Sequence, residues 1–246
     1  SATTTRPPRA TPMLILATSC AALTAPAAVA PSPCLIAPAS VADTFERKEL
    51  ASLLMSSFYG TPEAWRGPIA WAQRAIIEAD VVNDLTQRLE FYAANPGTVL
   101  TARDPASGAL LGFADVGLSA YDVARSQYRL PGARADDEGG GGATVARPYL
   151  SNLAVDPESR KRGVGRMLVR ACEEEVRGWG ALDAEPEPTR VWLEVSEDNE
   201  AAVSFYERLG YTREGESLGR EVRQRAFHFD VGNVRRLVLA KSLPET

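Results

Sequence analysis

The sequence predicts a mixed α/β (α+β) fold in which helices flank a central sheet. Residues 150–155 form an apolar strand that leads directly into a glycine loop and a helix. Residues 191–195 alternate apolar side chains with other types, as a second strand does, and residues 44–95 carry apolar side chains at helical spacing. With 246 residues, of which 45% are hydrophobic, the chain is long enough to bury one substantial core.

The first 42 residues differ from the rest in composition. They contain no Asp or Glu, two arginines and many Ala, Pro, Ser and Thr residues, as organelle transit peptides do. Residues 13–30 are apolar like the core of a signal peptide, but Pro26 and the limited length argue against a membrane span. We expect a transit-peptide-like segment with a plastid (chloroplast) address at 1–42, or an extended arm that lies on a partner, followed by one domain at 43–246.

Two helices and a hairpin are expected at the start of this domain. Apolar side chains at positions 50, 53, 54 and 58 mark the first helix, and those at 76, 77, 81, 85, 89 and 92 mark the second. Residues 98–102 and 109–116 flank an Asp-Pro-Ala-Ser-Gly turn and predict paired strands.

Beyond the hairpin, residues 119–147 include four consecutive glycines at 139–142. We expect a flexible Gly-rich insertion that interrupts the sheet. Near the C-terminus the pattern predicts a short strand at 211–213, a charged connector and a closing strand at 234–243.

The glycine loop predicts an anion-binding site. Gly163 and Gly165 lie where the helix begins, so backbone N–H groups without intrahelical partners and the positive end of the helix dipole face the loop. Leu168 stands where the dinucleotide fingerprint needs a third glycine, and no Gly-Lys-Ser or Gly-Lys-Thr run of a P-loop occurs. The loop also carries four cationic side chains: Arg160, Lys161, Arg162 and Arg166. A phosphorylated cofactor is indicated, the alternative being a plain turn with solvated arginines.

The helix after the glycine loop and the helix after the second strand both carry apolar stripes, so we expect both to pack on the sheet. The stripes consist of Val164, Met167, Leu168, Ala171, Cys172 and Val176 in the first helix, and Ala202, Phe205, Tyr206 and Leu209 in the second. Ser196, Asp198 and Asn199 are candidate caps for the second helix, and Gly210 is placed to end it.

Two blocks in this order resemble the GCN5-related N-acetyltransferase (GNAT) family. The first is Arg160-x-x-Gly163-x-Gly165 after the apolar strand, and the second runs from Leu-Glu-Val at 193–195 through Asn199, Phe205, Tyr206, Gly210 and Tyr211. The second block is most similar to the ribosomal-protein N-terminal acetyltransferases and to plastid members. The resemblance covers residues 148–212 and implies a mixed, mostly antiparallel sheet, splayed between the strands at 150–155 and 191–195, with acetyl-CoA in the gap.

The resemblance also implies two catalytic side chains. Tyr206, whose hydroxyl the resemblance places near the cofactor sulfur, is both a cofactor contact and the candidate acid that protonates the departing thiolate, or else a packing residue. Glu194 corresponds to the glutamate that acts as the base in the ribosomal type, working through water, and burial is expected to raise its pKa; the alternative is a strand glutamate paired with an arginine. Glu197 and Asp115 are reserve candidates for the base.

Cofactor contacts follow from the same resemblance. Backbone groups of Leu153 and Val155 are expected to hold the thioester and pantetheine, and Asn199 to contact the pantetheine arm unless it serves only as a helix cap. The pyrophosphate is expected at the loop formed by Arg160, Lys161, Arg162, Gly163, Val164, Gly165 and Arg166. Tyr59, Trp65 and Trp71 are possible acceptor contacts or core residues.

The expected function is acetyl transfer from acetyl-CoA to an amine by direct attack in a ternary complex, without a metal. A net charge of -5 argues against nonspecific nucleic-acid binding and favours a cationic acceptor, such as a protein N-terminus, a lysine or a polyamine. His228 is the single histidine, and Cys20, Cys34 and Cys172 imply no disulfide framework. The alternatives are a catalytically idle accessory subunit of a plastid assembly and a small-molecule amine acetyltransferase.

Overall fold

A mixed sheet forms the centre of the structure, a computed structural model that describes residues 34–40, 42–122, 127–128, 144–179, 189–224 and 229–244. Within these ranges the chain forms twelve main elements, in the order β1 (Leu35–Pro38), α1 (Thr44–Phe58), α2 (Pro68–Tyr92), β2 (Gly97–Arg103), β3 (Leu110–Asp122), β4 (Gln127–Tyr128), β5 (Thr144–Val155), α3 (Val164–Gly178), β6 (Arg190–Ser196), α4 (Glu200–Arg208), β7 (Thr212–Gln224) and β8 (Phe229–Ser242).

The strands lie in the order β1-β2-β3-β5-β6-β8-β7, and β4 pairs with the end of β3. All neighbours are antiparallel except β5 and β6, which run parallel and share a single register pair, Tyr149 with Trp192. The predicted mixed, mostly antiparallel sheet is therefore confirmed, and its weakest pairing lies at its centre.

The N-terminal boundary of the domain lies earlier than predicted. Strand β1 pairs with β2 over four residues, and Cys34 just before it is buried. Residues 35–38, which the composition assigned to the segment at 1–42, thus belong to the sheet. Residues 1–33, where most of that segment falls, lie outside the described part of the chain. None of the described helices is both long and apolar enough to span a membrane.

Two other predicted boundaries change because strands extend further than their apolar residues. Strand β3 continues to Asp122 and pairs with β5 from Thr144 onward, so both ends of the expected insertion at 119–147 are strand, while its four glycines lie outside the described residues. The expected charged connector after residue 213 is the long strand β7, which pairs with β8 as far as Gln224. Backbone hydrogen bonding across a hairpin sustains these polar strands, and the apolar pattern does not report it.

Helices pack on both faces of the sheet. Helices α3 and α4 cover one face, and the predicted stripe of α3 is buried there at Val164, Leu168, Cys172 and Val176. Helices α1 and α2 cover the other face around Phe113 and Ala154. Because α3 begins soon after β5 ends, the N-terminus of α3 lies near the C-terminal end of β5.

Leu168→Ala tests the packing of α3. Leu168 has no exposed surface, so the change should lower the free energy of unfolding by about 2–5 kcal/mol through lost burial and the cavity left behind. Urea unfolding measures this loss. Glu174→Ala is the control, because the Glu174 side chain on the same helix is 69% exposed and should cost under about 1 kcal/mol. Similar losses in the two variants would contradict the assigned packing.

Candidate active site

The central gap in the sheet begins where β5 and β6 separate. Beyond Tyr149 and Trp192 the two strands share no further register pair. In the same part of β5, three steps from Ser151 to Ala154 oppose two steps from Asp115 to Phe113 on β3, which defines a β-bulge. Asn152 lies in this bulge with φ 52°, in the left-handed region. The regular ladder between β3 and β5 is thus interrupted in the part of β5 that borders the gap.

A cleft of about 970 Å³ opens on the α3 side of this gap. It contains most of the predicted cofactor-binding residues: Leu153, Val155, Arg160, Lys161, Gly163, Val164, Gly165, Arg166 and Asn199. Two predicted residues do not line this cleft: Arg162, which is exposed, and Tyr206, which lines the adjoining cavity described below. Arg170 and Arg208 line the cleft although the sequence analysis did not select them. The spacing of Arg166 and Arg170, one helical turn apart, is the signal that points to the first of these.

The loop before α3 presents the features of an anion site. Gly163 occupies the N-cap position with φ 87°, and no side chain of the described residues caps the first turn. The N-terminal N–H groups of α3 are therefore left for a ligand. Arg160 Nε donates to the Val155 carbonyl oxygen at 3.1 Å, and the Ser159 hydroxyl donates to Asp156 at 3.1 Å, so side chains of the loop fix its own backbone.

The packing around Gly165 leaves room for a bound group. A Cβ atom at this position would lie 3.5 Å from Phe205 and 3.6 Å from Val155, which are ordinary contact distances. The protein fold alone thus does not require glycine here. Since Gly165 lines the cleft, glycine instead keeps the space beside the helix terminus open, as the approach of a pyrophosphate requires. The residues present therefore fit a phosphorylated, pantetheine-bearing group.

A second cavity of about 690 Å³ lies on the other side of the gap. It shares four lining residues with the first cleft, Phe58, Leu153, Asn199 and Ala202, so the two spaces adjoin. The predicted catalytic side chains Tyr206 and Glu194 both line this second cavity. A reactant in the first cleft and one in the second would therefore meet near Leu153 and Asn199.

Tyr206 is buried in an aromatic stack. Its ring packs edge-on against Phe205, with centroids 5.1 Å apart, and against Tyr211, with centroids 5.6 Å apart. Burial, together with the nearby Cys172 thiol, raises the pKa of Tyr206. The phenol thus stays protonated at neutral pH and remains available as a proton donor.

A buried ion pair anchors the stack beneath Tyr206. The Tyr211 hydroxyl donates to Glu173 Oε1 at 3.2 Å, and Lys241 Nζ donates to the same carboxylate at 2.8 Å from Oε2. Glu173 is 4% exposed, and these two bonds supply the partners that a buried carboxylate requires. The network fixes Tyr211, which in turn supports the ring of Tyr206.

Glu194 is a buried carboxylate with one free oxygen. Arg236 Nη1 lies 3.5 Å from Oε2, whereas Oε1 is buried without a hydrogen-bond partner among the described residues. Burial raises the pKa of Glu194, and the neighbouring Ser217 hydroxyl and Arg236 guanidinium offset part of that rise. A carboxyl with a raised pKa and a free oxygen is chemically suited to accept a proton from an amine or from a water.

The two reserve candidates for the base are placed differently. Asp115 is fully buried and accepts hydrogen bonds from Arg88 at 3.0 Å, Tyr92 at 2.9 Å and Ser151 at 2.9 Å. These contacts join α2 to the sheet, and Asp115 does not line either cavity. Glu197 is 46% exposed, 3.7 Å from Arg235, and also outside both cavities. Neither matches the position of Glu194.

The remaining predicted residues divide between core and site. Asn199 accepts a hydrogen bond from the Ala202 N–H at 3.1 Å and also lines both cavities, so it caps α4 and faces the gap. Tyr59 lines the second cavity, and the carbonyl of that residue accepts a 3.1 Å bond from Trp65 Nε1. Trp65 itself is buried core, and Trp71 is half exposed.

The part of the chain that the structure describes has neither a metal-binding cluster nor a disulfide. No cluster of three or more His, Cys, Asp or Glu side chains there could hold a metal ion. Cys34 and Cys172 are buried free thiols, whereas Cys20 and His228 lie outside the described residues.

Comparison with known proteins identifies the family. The sequence model of the acetyltransferase (GNAT) family matches residues 69–211. The [Ribosomal protein bS18]-alanine N-acetyltransferase of Salmonella typhimurium is 40% identical over 62 residues, which cover 25% of this chain and 37% of that protein. The GCN5-related N-acetyltransferase 7, chloroplastic, of Arabidopsis thaliana is 36% identical over 73 residues, covering 30% of this chain and 24% of that protein. The chain thus matches less than half the length of both curated relatives.

A solved structure supports the fold independently. The histone acetyltransferase HPA2 and related acetyltransferase from Corynebacterium glutamicum has a TM-score of 0.50 at 19% identity, covering 87% of this chain and 99% of that chain. The family match spans more than half of the chain and includes the strand, the glycine loop and both helices of the site. The protein therefore belongs to the acetyltransferase (GNAT) family, whose co-substrate is acetyl-CoA.

Proposed function

We propose that the protein transfers the acetyl group of acetyl-CoA to a primary amine by direct attack in a ternary complex. One observation carries this proposal: two cavities adjoin in the gap between β5 and β6, and one contains a cationic helix terminus while the other contains buried Tyr206 and Glu194. The family assignment supports the same reaction.

In the proposed complex, the first cleft holds the cofactor. The N–H groups at the start of α3 and the cations Lys161, Arg166 and Arg170 bind the pyrophosphate and 3′-phosphate. Backbone groups of Leu153 and Val155 hold the pantetheine and the thioester along β5, and Asn199 contacts the arm from the start of α4. Arg160 acts chiefly on the loop, through its bond to the Val155 carbonyl.

The proposed chemistry divides two proton transfers between two side chains. Acetyl-CoA supplies a thioester carbonyl and a thiolate leaving group. Glu194, with a raised pKa and a free oxygen, accepts the proton of the acceptor amine directly or through water. Tyr206, which burial keeps protonated, donates to the departing sulfur. Backbone N–H groups at the bulge of β5 stabilise the developing oxyanion, a contribution of about 3 kcal/mol for each well-placed donor.

The acceptor is proposed to be a protein N-terminal α-amine, a lysine ε-amine or both. The relative from Salmonella typhimurium is, by its name, an alanine N-acetyltransferase of ribosomal protein bS18, which supports a protein acceptor. A plastid location is the accompanying proposal, supported by the acid-free composition of residues 1–42 and by the chloroplastic name of the Arabidopsis relative. A fluorescent fusion of the full chain should therefore coincide with plastids, and fluorescence elsewhere in the cell would contradict the proposed location.

Calorimetric titration of acetyl-CoA into the full chain, followed by thiol release with N-terminal and lysine peptides, tests the function. Micromolar binding and peptide-dependent thiol release are expected. Binding without release to any peptide or small amine would favour the idle accessory subunit, and release with small amines alone would favour a small-molecule enzyme. Absence of binding would contradict the proposed cofactor site.

Tyr206→Phe tests the proton donor. The variant keeps the ring and its packing against Phe205 and Tyr211 but removes the hydroxyl, so turnover should fall by roughly 10²- to 10⁴-fold while the dissociation constant for acetyl-CoA stays unchanged. Steady-state kinetics and calorimetry on one preparation measure both quantities. Near-normal turnover would assign Tyr206 to packing alone.

Glu194→Gln tests the raised pKa through stability. A carboxyl whose pKa is higher in the folded than in the unfolded protein destabilises the fold as pH rises from its ordinary value of 4.5 through the raised value. The variant lacks this loss. Its melting temperature should therefore match the wild type at acid pH and exceed it increasingly across that window, reaching a plateau above the raised pKa. A difference that does not vary with pH would show that Glu194 is not buried as described.

Gly165→Ala separates cofactor binding from stability. The added methyl group meets only ordinary contacts and replaces a helical glycine, so the free energy of unfolding should stay equal or rise by up to about 1 kcal/mol. Acetyl-CoA affinity should nevertheless fall about tenfold or more, because the methyl group occupies space beside the helix terminus. Gly178→Ala, in open space at the other end of α3, is the matched control and should leave affinity unchanged. Equal acetyl-CoA affinities in the two variants would show that the cofactor does not bind at this loop.

A further inference from the structure

In the proposed complex the acceptor amine occupies the second cavity, which is therefore the acceptor cavity. Asn152 combines two unfavourable features in the wall of this cavity. Its backbone has φ 52°, which a side-chain-bearing residue seldom adopts, and its buried Nδ2 atom has no hydrogen-bond partner in the part of the chain that the structure describes. The residue lines the second cavity and lies in the bulge of β5. Buried polar atoms are nearly always paired in folded proteins, so an unpaired donor in a residue that lines a cavity points to a partner that arrives with a ligand.

Neighbouring polar groups on the same wall are already engaged. The Ser151 hydroxyl donates to Asp115 at 2.9 Å, and Arg88 donates to Asp115 at 3.0 Å and to Asp84 at 2.7 Å. These groups hold the sheet and α2 together. Asn152 takes no part in that network, although it adjoins Ser151 in sequence.

The second unpaired polar atom of this cavity is Oε1 of Glu194. The cavity thus offers one acceptor, the carboxylate, and one donor, the carboxamide. The end of a polypeptide has the complementary pair, because its α-amine and its first carbonyl are attached to the same Cα atom. A lysine ε-amine stands at the end of four methylene groups and has no carbonyl nearby. The pair can therefore distinguish the two kinds of amine.

Building on the proposed acetyltransferase function, we propose that Asn152 is a specificity-determining residue that selects protein N-terminal α-amines over lysine side chains. Its carboxamide donates a hydrogen bond to the first carbonyl of the acceptor while the α-amine faces Glu194. The left-handed backbone of the bulge holds the carboxamide at the cavity, which explains why a residue type that tolerates this conformation stands there.

Two matched peptides and two variants test the proposal. One peptide has a free N-terminus and no lysine, and the other has an acetylated N-terminus and one lysine in the same surrounding sequence. Asn152→Gly removes the carboxamide, and Asn152→Asp keeps its shape but replaces the donor by an acceptor; both residue types tolerate positive φ. The measured quantities are kcat/KM for each peptide and the dissociation constant for acetyl-CoA.

The wild type should prefer the N-terminal peptide. Both variants should lower the ratio of kcat/KM for the N-terminal peptide to that for the lysine peptide about tenfold, the loss expected for one buried hydrogen bond, and acetyl-CoA affinity should change less than about twofold. Because a ratio cancels any general loss of active protein, partial unfolding cannot produce this result.

Three results would overturn the role of Asn152: a wild-type preference for the lysine peptide, an unchanged ratio in both variants, or a ratio that falls in Asn152→Gly but not in Asn152→Asp. In each of these the acetyltransferase function itself stands. Acetyl-CoA binding without transfer to either peptide would instead remove the proposed protein acceptor, and the role of Asn152 with it.

Discussion

The single pairing of Tyr149 with Trp192 is the constraint on which the site depends. Parallel strands normally continue a ladder of evenly spaced hydrogen bonds, but here β5 and β6 meet once and then separate. Their facing edges beyond this point are left to a ligand, and the helices that follow each strand begin at the open end of the gap. The glycine loop and the α4 terminus are thereby brought to one place although Gly163 and Asn199 lie 36 positions apart in the sequence.

Polar groups at two places in the structure differ in their partners. Asp115 with Arg88, and Glu173 with Lys241 and Tyr211, are ion pairs whose hydrogen bonds join helices to the sheet, although the second carboxylate oxygen of Asp115 has no partner among the described residues. Among the described residues that line the cavity between the strands, Glu194 and Asn152 each keep a buried atom unpaired. An unpaired buried group costs about 1–3 kcal/mol, which the folded state recovers only when a ligand supplies the partner. The arrangement is the expected one for a site that binds and releases a polar acceptor.

Local sequence patterns predicted the parts of the fold that depend on local physics. The strand, glycine loop and helix around Gly163, the stripe of α3 and the period of β6 each follow from spacing over a few residues, and the family resemblance connected them into a splayed sheet. Pairing between distant segments does not follow from spacing over a few residues. Strand β1 and the polar strand β7 are held by partners far along the chain, so their own composition resembles a leader and a connector. The bulge at Asn152 also depends on the register between β5 and β3, and no local motif in the sequence indicates it.

A conjugate that joins CoA through an acetyl bridge to a peptide N-terminus tests the central claim, that the cofactor cleft and the acceptor cavity form one continuous site through the gap between β5 and β6. Calorimetry with the full chain would compare the conjugate, CoA alone and the peptide alone. If the cavities adjoin as described, the conjugate should bind at least about a hundredfold more tightly than CoA, because the peptide half then binds intramolecularly. Affinity no higher than that of CoA alone would contradict the account.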